Sequence, residues 1–359
     1  MSGSEEGPAP STGPGLTETF RRLIAATGPI SLAHYMGESN ARYYASKNPL
    51  GAGGDFVTAP EVSQMFGELV GLWLADIWNR AGRPARVHYV ELGPGRGTLA
   101  RDALRGMPRF GLEPQVQLVE GSPALRKAQL AALPGARFHD DLSTIPTDGP
   151  ILLVANEFLD ALPIRQLVCT ADGWREIVVA VDGEGRFGPL AGARPMDAAV
   201  PESHREAPEG TLIETCPAAA TIVLEVAGRL AKQGGAALFI DYGHAEPRTG
   251  STLQAVRAHR KVDPFAAPGE ADLTAHVDFA VLADVARSRG ARWLGTVEQG
   301  AWLRALGIEA RSEALAAGAP GEREALEQAV ERLAGDAQMG RLFRVMGLAG
   351  PDWPNGVGF

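Results

Sequence analysis

Cysteine is scarce in this sequence of 359 residues, which contains only Cys169 and Cys216. The two lie far apart and form no CxxC pair, so the sequence offers neither a disulfide framework nor a zinc-binding spacing. The seven histidines likewise show no HxH or HExxH spacing. We therefore expect no metal site and two free thiols that are buried as small apolar side chains.

A long apolar run and a net positive charge are also missing. No stretch of about 18 apolar residues occurs, so we expect no transmembrane helix and no membrane insertion. The formal net charge of −9 argues against a general affinity for nucleic acid, which needs a basic surface. Residues 1–16 are rich in Gly, Pro and Ser and contain no Arg, which predicts a disordered tail rather than a signal or transit peptide. These features, with the many Ala, Gly and Arg residues, favour a cytoplasmic bacterial protein.

The remaining sequence is that of a globular protein, with 45% hydrophobic and 21% charged residues. Residues 17–83 are expected to form a mostly helical N-terminal cap. From 84 to 350, short apolar strands alternate with helices, which is typical of βαβ units and a parallel sheet. The later part of this pattern predicts helices at 217–233 and 277–289, a strand at 291–297 and the next helix at 321–334. Two segments interrupt this alternation, at about 164–210 and 244–280, and are interpreted as insertions. We predict one α/β domain with a doubly wound, Rossmann-like sheet.

A glycine-rich loop follows the first strand of this α/β region and opens a helix. Its glycines, Gly93, Gly95 and Gly97, permit a tight turn and the close approach of a ligand at the carboxyl end of the sheet. The G-x-G-x-G spacing, with Glu91 two residues before it, resembles the first motif of class I S-adenosylmethionine-dependent methyltransferases. Dinucleotide enzymes prefer G-x-G-x-x-G, and Pro94 lacks the backbone donor that a phosphate-binding loop uses. A dinucleotide site and a turn without a ligand remain the alternatives.

Two acidic residues at the ends of the next strands are expected to complete the cofactor site. Glu120 ends the second strand, where an acid can accept hydrogen bonds from ribose hydroxyls. Asp141, preferred over Asp140, follows the third strand, where these enzymes usually contact the adenine amino group. A surface or capping role is the alternative for Glu120, and a helix cap or turn is the alternative for the aspartates.

Polar side chains after the fourth strand are the candidates for the acceptor side. Asn156 and Glu157 directly follow an apolar run, and Asp160 lies in the same segment. Methyl transfer from a sulfonium is an in-line displacement, so the protein mainly positions the nucleophile and stabilises charge. Carboxylates suit a guanidinium, which is fully protonated at neutral pH and favours a planar carboxylate fork, so we expect an arginine acceptor. Capping of the following turn is the alternative for Asn156 and Asp160.

Two further residues are expected near the acceptor. Tyr242 ends the next strand on the same edge of the sheet and is expected to line the acceptor pocket. His276 is a further catalytic candidate, although a lone histidine is more often structural.

Six segments together resemble the MidA-like family of class I methyltransferases, whose mitochondrial members are known as complex I assembly factors. The matching segments lie within about residues 30–280 and read ISLAHYMGESNARYY, GDFVTAPEVSQMFGE, ELGPGRGTL, NEFLDALP, IDYG and DLTAHVDF. The resemblance implies S-adenosylmethionine as the methyl donor and methylation of an arginine ω-nitrogen on a respiratory complex I subunit. The N-terminal signature of the family falls on residues that are implied to cover the cofactor and to bind substrate: Tyr35, Met36, Asp55, Pro60, Glu61 and Gln64. Ordinary packing is the alternative for Tyr35 and Met36.

Two other functions remain open at the level of sequence. One is a methyltransferase that acts on a small molecule, for which a closed pocket under the N-terminal cap is expected. The other is a non-catalytic assembly factor that keeps the fold as a binding module, because a fold alone does not prove chemistry. The sequence does not set the oligomeric state.

Overall fold

The computed structural model of the chain describes residues 15–46, 57–257 and 260–359. Residues 1–14 of the expected tail and the predicted substrate residue Asp55 lie outside the described residues. No helix within these ranges is both long and apolar enough to cross a membrane. Cys169 and Cys216 are free thiols, and each is partly rather than fully buried.

Helices and strands alternate only in parts of the chain, and elsewhere several elements of one kind follow one another. The N-terminal region contains α1 (Leu16–Thr27), β1 (Ile30–Ser31), α2 (Leu32–Ser46), α3 (Ala59–Val62) and α4 (Gln64–Arg80). The next elements are β2 (His88–Leu92), α5 (Thr98–Gly106), β3 (Gln115–Val119), α6 (Pro123–Ala132), β4 (Arg137–His139) and β5 (Ile151–Asn156). They are followed by β6 (Arg165–Thr170), β7 (Gly173–Val181), β8 (Phe187–Pro195), β9 (Leu212–Thr215), α7 (Pro217–Gln233) and β10 (Gly235–His244). The remaining elements are β11 (Gln254–Arg257), β12 (Arg260–Val262), β13 (Asp272–Thr274), β14 (Val277–Asp278), α8 (Phe279–Ser288), β15 (Arg292–Glu298), α9 (Gln299–Ala305), α10 (Ile308–Gly318), α11 (Arg323–Ala334), α12 (Met339–Leu342) and β16 (Phe343–Ala349).

The central sheet has the strand order β15-β16-β10-β5-β2-β3-β4. Strands β10, β5, β2, β3 and β4 pair in parallel, whereas β16 runs antiparallel to both β10 and β15. The expected α/β fold is therefore confirmed, but the sheet is mixed rather than parallel throughout. Strand β16 is antiparallel because α9–α12, which connect it to β15, leave the sheet and re-enter it at the same, carboxyl edge.

Side chains alternate between the two faces of this sheet, and each face is covered by helices. On β5, Leu152 and Val154 pack in the core formed with α4, α5 and α9, whereas Leu153 packs in the core formed with α7 and α8. Neighbouring residues of β10 divide in the same way, Leu238 to the first core and Phe239 to the second. The apolar runs of these strands follow from burial on both faces.

A second, antiparallel sheet has the order β1-β7-β6-β9, with β8 paired to β7. Strands β6, β7 and β8 come from the first predicted insertion, β9 lies just after it, and β1 comes from the N-terminal region. Helices α1 and α2 pack on it through Phe20, Leu32 and Tyr35, which share a core with Val179 and Phe187. Helices α3 and α4 instead pack on the central domain. The structure thus divides the expected N-terminal cap between two sheets. Strands β11, β12 and β13 form a small sheet of their own within the second predicted insertion.

Helix α4 lies unusually close to α5. A Cβ atom added at Gly71 would lie 2.3 Å from the carbonyl oxygen of Ala103, and one at Gly67 would lie 2.7 Å from the Cβ of Asp102. Glycine at both positions therefore lets the two helices meet backbone to backbone. Because α5 begins at the glycine-rich loop, this contact fixes α4, and α3 just before it, beside that loop.

Candidate functional site

The glycine-rich loop between β2 and α5 depends on its three glycines. Gly93, Gly95 and Gly97 have φ angles of 62°, 54° and 79°, in the left-handed region that side chains with a Cβ rarely adopt. A Cβ atom at Gly93 would also lie 2.6 Å from the ring of Phe158. Gly97 is the N-cap of α5. The glycines therefore give the loop a backbone that is not covered by side chains at these three positions. We call this part of the loop, at the carboxyl edge of the sheet, the cradle.

This cradle forms one wall of a cavity of about 240 Å³. The predicted site residues that the cavity brings together are Pro60, Glu61, Glu91, Gly93, Gly95, Glu120, Asn156 and Glu157. The lining residues that the sequence did not indicate include Tyr44, Thr58, Arg96, Ser122, Phe158 and Leu162. Loops after β2, β3 and β5 meet α3 here, so residues that are far apart in sequence share one space.

The cavity is acidic. Among its described lining residues, the acids are Glu61, Glu91, Glu120 and Glu157, and the one cationic side chain is Arg96. An excess of carboxylates favours a cationic ligand and opposes the pyrophosphate of a dinucleotide. The charge of the cavity therefore favours the cation S-adenosylmethionine over a dinucleotide. The glycine spacing alone left both cofactors open.

Glu91 is buried at the floor of the cavity. Its side chain accepts a hydrogen bond of 2.5 Å from the hydroxyl of Tyr89, two residues earlier on the same face of β2. Burial raises the pKa of Glu91 to about 7, because the loss of water outweighs the stabilising hydrogen bond from Tyr89. A cationic ligand nearby would favour its ionised form.

Glu120 is tied to the glycine-rich loop by a residue that the sequence did not indicate. Gln129 of α6 is fully buried, and its Nε2 donates to the carbonyl oxygen of Gly95 at 2.6 Å and to Oε2 of Glu120 at 3.2 Å. Glu120 Oε1 also accepts from the backbone N–H of Ser122 at 2.8 Å. Gln129 lies four residues from both Leu125 and Leu133, so its place on the apolar face of a helix was the available signal.

The turn after β5 places Asn156 and Glu157 at the cavity. Glu157 has a φ of 48°, which is unusual for a residue with a side chain, and such backbone strain concentrates at functional sites. Its Oε1 accepts hydrogen bonds from the backbone N–H of Ala59 at 2.9 Å and from Nδ2 of Asn156 at 3.2 Å. Within the described chain, Glu157 Oε2 accepts no hydrogen bond, and the buried Oδ1 of Asn156 has no partner either. The site thus keeps two acceptor atoms available for a ligand with N–H groups.

A cluster of carboxyl groups surrounds this turn. Asp241 Oδ2 accepts hydrogen bonds from the backbone N–H groups of Phe158, Leu159 and Asp160, at 2.9–3.2 Å, and so holds the turn in place. Burial raises the pKa of Glu157 to about 7 and that of Asp160 to about 6, and the charge of Asp160 raises the pKa of Glu157 further. Burial, followed by repulsion from Asp160, also raises the pKa of Asp241.

Tyr242 contacts the cluster of carboxyl groups through Asp160. Asp160 is buried and hydrogen-bonded to the Tyr242 hydroxyl, which lowers the pKa of Asp160 against the stronger effect of burial. Tyr242 does not line the cavity of the glycine-rich loop but a neighbouring groove, which Glu157 also lines. The structure therefore brings Tyr242 and Glu157 together in that groove.

Tyr35 and Met36 lie in a hydrophobic core and not at the cavity. Both side chains are fully buried, and Tyr35 stacks on Phe20 with the ring centroids 5.1 Å apart. The Tyr35 hydroxyl donates to the carbonyl oxygen of Pro264 at 3.1 Å. These contacts correct the substrate-binding role expected for both residues and account for them by packing.

Gln64 and Asp141 also lie away from the cavity. Gln64 is exposed on α4, and its Oε1 accepts a hydrogen bond from Arg105 at 3.2 Å. Asp141 is exposed and caps a short 3-10 turn, where Oδ1 accepts from the backbone N–H of Ser143 at 2.8 Å. For Asp141 the structure favours the capping alternative, because a short polar side chain there satisfies a free N–H group.

His276 lies in a different cavity, which is lined also by Cys216 and Asp278. Its ring packs edge to face on Tyr242, with the centroids 5.6 Å apart, and burial lowers its pKa. His276 lines neither the cavity nor the groove that Glu157 lines, so the geometry supports a packing role rather than the expected catalytic one. Among the described residues, no group of three or more His, Cys, Asp or Glu could hold a metal ion.

Comparison with known proteins identifies a methyltransferase family. The model of a family of S-adenosyl-L-methionine-dependent methyltransferases matches residues 69–297. A mitochondrial protein of Drosophila melanogaster named as a homolog of protein arginine methyltransferase NDUFAF7 is 36% identical over 93% of this chain and 84% of its own length. The human protein of that name is 35% identical over 93% of this chain and 83% of its own length.

A solved structure is similar over almost the whole chain. The crystal structure of a Burkholderia thailandensis protein bound to S-adenosyl-homocysteine has 31% sequence identity and a TM-score of 0.80, and the match covers 93% of this chain and 91% of that one. The expected location in a bacterial cytoplasm is contradicted, because the curated relatives that match most of this chain are named as mitochondrial proteins. The expected fold and methyl donor are confirmed. The chain belongs to the family of S-adenosyl-L-methionine-dependent methyltransferases.

Proposed function

We propose that the chain transfers a methyl group from S-adenosyl-L-methionine to an ω-nitrogen of an arginine side chain in a partner protein. The observation that carries the proposal is the carboxyl group of Glu157, which lies at the cavity with one oxygen fixed and the other without a hydrogen bond from the described residues. A guanidinium offers the N–H donors that such an oxygen accepts. The arginine methyltransferase names of the curated relatives support the same acceptor.

The residues around the cavity fit the methyl donor. Bound S-adenosyl-L-methionine supplies an electrophilic methyl group on a positively charged sulfur. We assign the backbone of Gly93 and Gly95 to close contact with the donor, Glu120 to its ribose hydroxyls, and the unpartnered Asn156 Oδ1 to one of its N–H groups. The acidic lining, which includes Glu91, stabilises the positive charge.

Glu157 has two tasks in this proposal. Its free oxygen orients the guanidinium, because a carboxylate and a guanidinium form directed, charge-assisted hydrogen bonds. It then accepts the proton that the nitrogen loses when the N–C bond forms and the S–C bond breaks, and releases this proton to water. A pKa of about 7 suits a group that accepts and releases a proton near neutral pH.

The test is transfer of isotopically labelled methyl groups to arginine. Purified protein is incubated with labelled S-adenosyl-L-methionine and protein extracts, and the labelled proteins are hydrolysed for amino-acid analysis. We expect the label in ω-N-methylarginine. Label in small molecules alone would support the small-molecule alternative, and cofactor binding without transfer to any acceptor would support the binding module.

The partner in this proposal is a subunit of respiratory complex I, as the family resemblance implies. Mass spectrometry of complex I subunits from cells with and without the protein tests this step. We expect one subunit to lose a methylarginine in the absence of the protein and to regain it when the wild-type chain is restored. Unchanged methylation of every subunit would contradict this choice of partner.

A further inference from the structure

A second groove, of about 620 Å³, shares Glu157 with the cavity of the glycine-rich loop. It runs between α11–α12 and the ends of β10 and β16. The lining residues that matter here are Glu157, Tyr242, Met339, Leu342 and Phe343. We call this surface the acceptor groove.

The topology of the sheet explains why this groove is next to the site. Strand β16 is antiparallel to β10, so it begins at the carboxyl edge, where the parallel strands end. Helix α12 directly precedes β16 and must therefore lie at that edge. The antiparallel strand thus brings α11 and α12 to the side of the site that the glycine-rich loop leaves uncovered.

Glu157 belongs to the walls of both the acceptor groove and the cofactor cavity. The carboxyl group of Glu157, one oxygen of which lacks a hydrogen bond from the described residues, therefore borders both spaces. A side chain in the groove and a ligand in the cavity would both lie next to this residue.

The groove offers an apolar and aromatic passage to that point. The rings of Tyr242 and Phe343 pack edge to face with their centroids 5.6 Å apart, and Met339 and Leu342 lie beside them. Leu342 is 49% exposed although it is a large apolar side chain. Such walls suit the three methylene groups of arginine, and aromatic rings attract its cationic head.

The charges along the groove change from its rim to its inner end. At the rim, Glu331 and Arg332 of α11 carry one charge of each sign. At the inner end, Glu157 is followed by Asp160 and Asp241, which are buried carboxyl groups. A cation that passes the rim therefore gains favourable interactions as it moves inward.

We propose that the acceptor groove admits an arginine side chain of the partner protein, with its stem along Tyr242 and Leu342 and its guanidinium at Glu157. This inference rests on the proposed function and specifies the binding site of its substrate. The residues that line the rim, on α11 and α12, then contact the partner's backbone on either side of the arginine.

The test uses a defined probe and a matched pair of variants. The probe is the blocked peptide Gly-Ala-Arg-Ala-Gly, compared with the same peptide in which citrulline, a neutral analogue of the same shape, replaces arginine. Binding to the protein saturated with S-adenosyl-homocysteine is followed by NMR titration. Leu342→Arg places a cation in the groove, whereas Leu190→Arg makes the same change at a leucine on β8 that is 52% exposed.

We expect the wild type and Leu190→Arg to bind the arginine peptide more tightly than the citrulline peptide. Leu342→Arg should lower the affinity for the arginine peptide by about tenfold or more, because like charges in close contact repel. The affinity of this variant for S-adenosyl-homocysteine should stay within about twofold of the wild-type value. If Leu342→Arg is less stable to heat than the wild type, the exposed Gln328→Lys in the same groove provides the same comparison.

The outcomes separate this inference from the proposed function. If the wild type forms methylarginine and Leu342→Arg does so equally well, the groove is not the acceptor site, although the proposed function stands. Equal binding of the arginine and citrulline peptides, or no binding of either, also overturns the inference. If the wild type methylates no arginine in any acceptor, the proposed function fails and the inference fails with it.

Discussion

In the proposed reaction, single residues at the edge of the sheet position the acceptor and accept its proton, and Glu157 is the most informative of them. We expect Glu157→Gln to lower the rate of methyl transfer by about 100-fold, because the amide cannot accept a proton and binds a guanidinium weakly. The affinity for S-adenosyl-L-methionine should change little, because glutamine can still accept from the backbone N–H of Ala59. Initial rates and titration calorimetry measure the two effects.

The exposed Glu202, outside the site, provides the control for that change. Glu202→Gln should behave as the wild type in both measurements. A Glu157→Gln variant that keeps the full rate would show that Glu157 neither orients the acceptor nor accepts its proton.

Gln129 allows a second test at this scale. Gln129→Leu keeps the size of the side chain but leaves the carbonyl oxygen of Gly95 and the carboxylate of Glu120 without their shared donor. Lost hydrogen bonds to buried groups cost about 1–3 kcal/mol, so we expect the dissociation constant for S-adenosyl-L-methionine to rise about tenfold. Titration calorimetry measures this constant, and Lys127→Leu on the exposed side of α6 is the control. An unchanged constant for Gln129→Leu would contradict the positioning role of Gln129.

The sequence indicated some site residues and not others for identifiable reasons. Asn156 and Glu157 could be predicted because polar side chains directly after an apolar strand must lie at the edge of the sheet. Tyr35 and Met36 were misinterpreted because a family signature marks core residues as readily as binding residues. Gln129 escaped notice because its function depends on a contact with a loop that is distant in sequence.

At the scale of elements, the contact between α4 and α5 depends on small residues. Gly71→Ala adds a methyl group 2.3 Å from the Ala103 carbonyl oxygen, a distance that the two helices must increase. Overpacking of this kind costs about 1–3 kcal/mol, which we expect as a lower free energy of unfolding in denaturant titrations.

Gly318 is the matched control, because a Cβ atom there meets nothing within 4 Å. It is the last residue of α10. Gly318→Ala should leave stability unchanged or raise it by up to about 1 kcal/mol, since alanine favours helices. Equal stability of both variants and the wild type would show that the α4–α5 contact tolerates a wider spacing.

Elements with a regular pattern could be predicted closely, and those set by tertiary contacts could not. Helix α7 was expected at 217–233 and occupies Pro217–Gln233, because its apolar face and its flanking Pro and Gly are local signals. The antiparallel direction of β16 has no local signal, because the apolar pattern of a buried strand is the same whether its neighbours are parallel or antiparallel. Helices α9 and α10 lie in a segment for which no element was predicted.

At the scale of the whole molecule, carboxyl groups from different strands meet in one acidic site. Burial raises the pKa of Glu91 and Glu157 to about 7 and that of Asp160 to about 6. A carboxyl group with a raised pKa in the folded state stabilises the fold at low pH, and this stability is lost as the pH rises through the folded-state pKa. Above neutral pH, the ionised carboxyl groups of the site therefore lower the free energy of unfolding.

The variant Glu157→Gln removes one of these charges and makes the effect measurable. We expect its stability relative to the wild type to increase by about 1–3 kcal/mol between pH 5 and pH 8, because only the wild type ionises at this position. Denaturant titrations of both proteins at each pH measure the difference. A difference that is constant with pH would show that Glu157 has an ordinary pKa.

The position of β16 constrains the order in which a chain leaving the ribosome can fold. Strands β2, β3, β4, β5 and β10 pair with one another, so the edge that carries the glycine-rich loop can assemble while synthesis continues. In the described sheet, β15 reaches β10 only through β16, whose residues 343–349 are made after those of all the other strands. Helix α12 and Phe343 complete the acceptor groove at the same late stage. If the acceptor groove is the substrate site proposed above, the part of the sheet that carries the glycine-rich loop can therefore form before the surface that receives the partner.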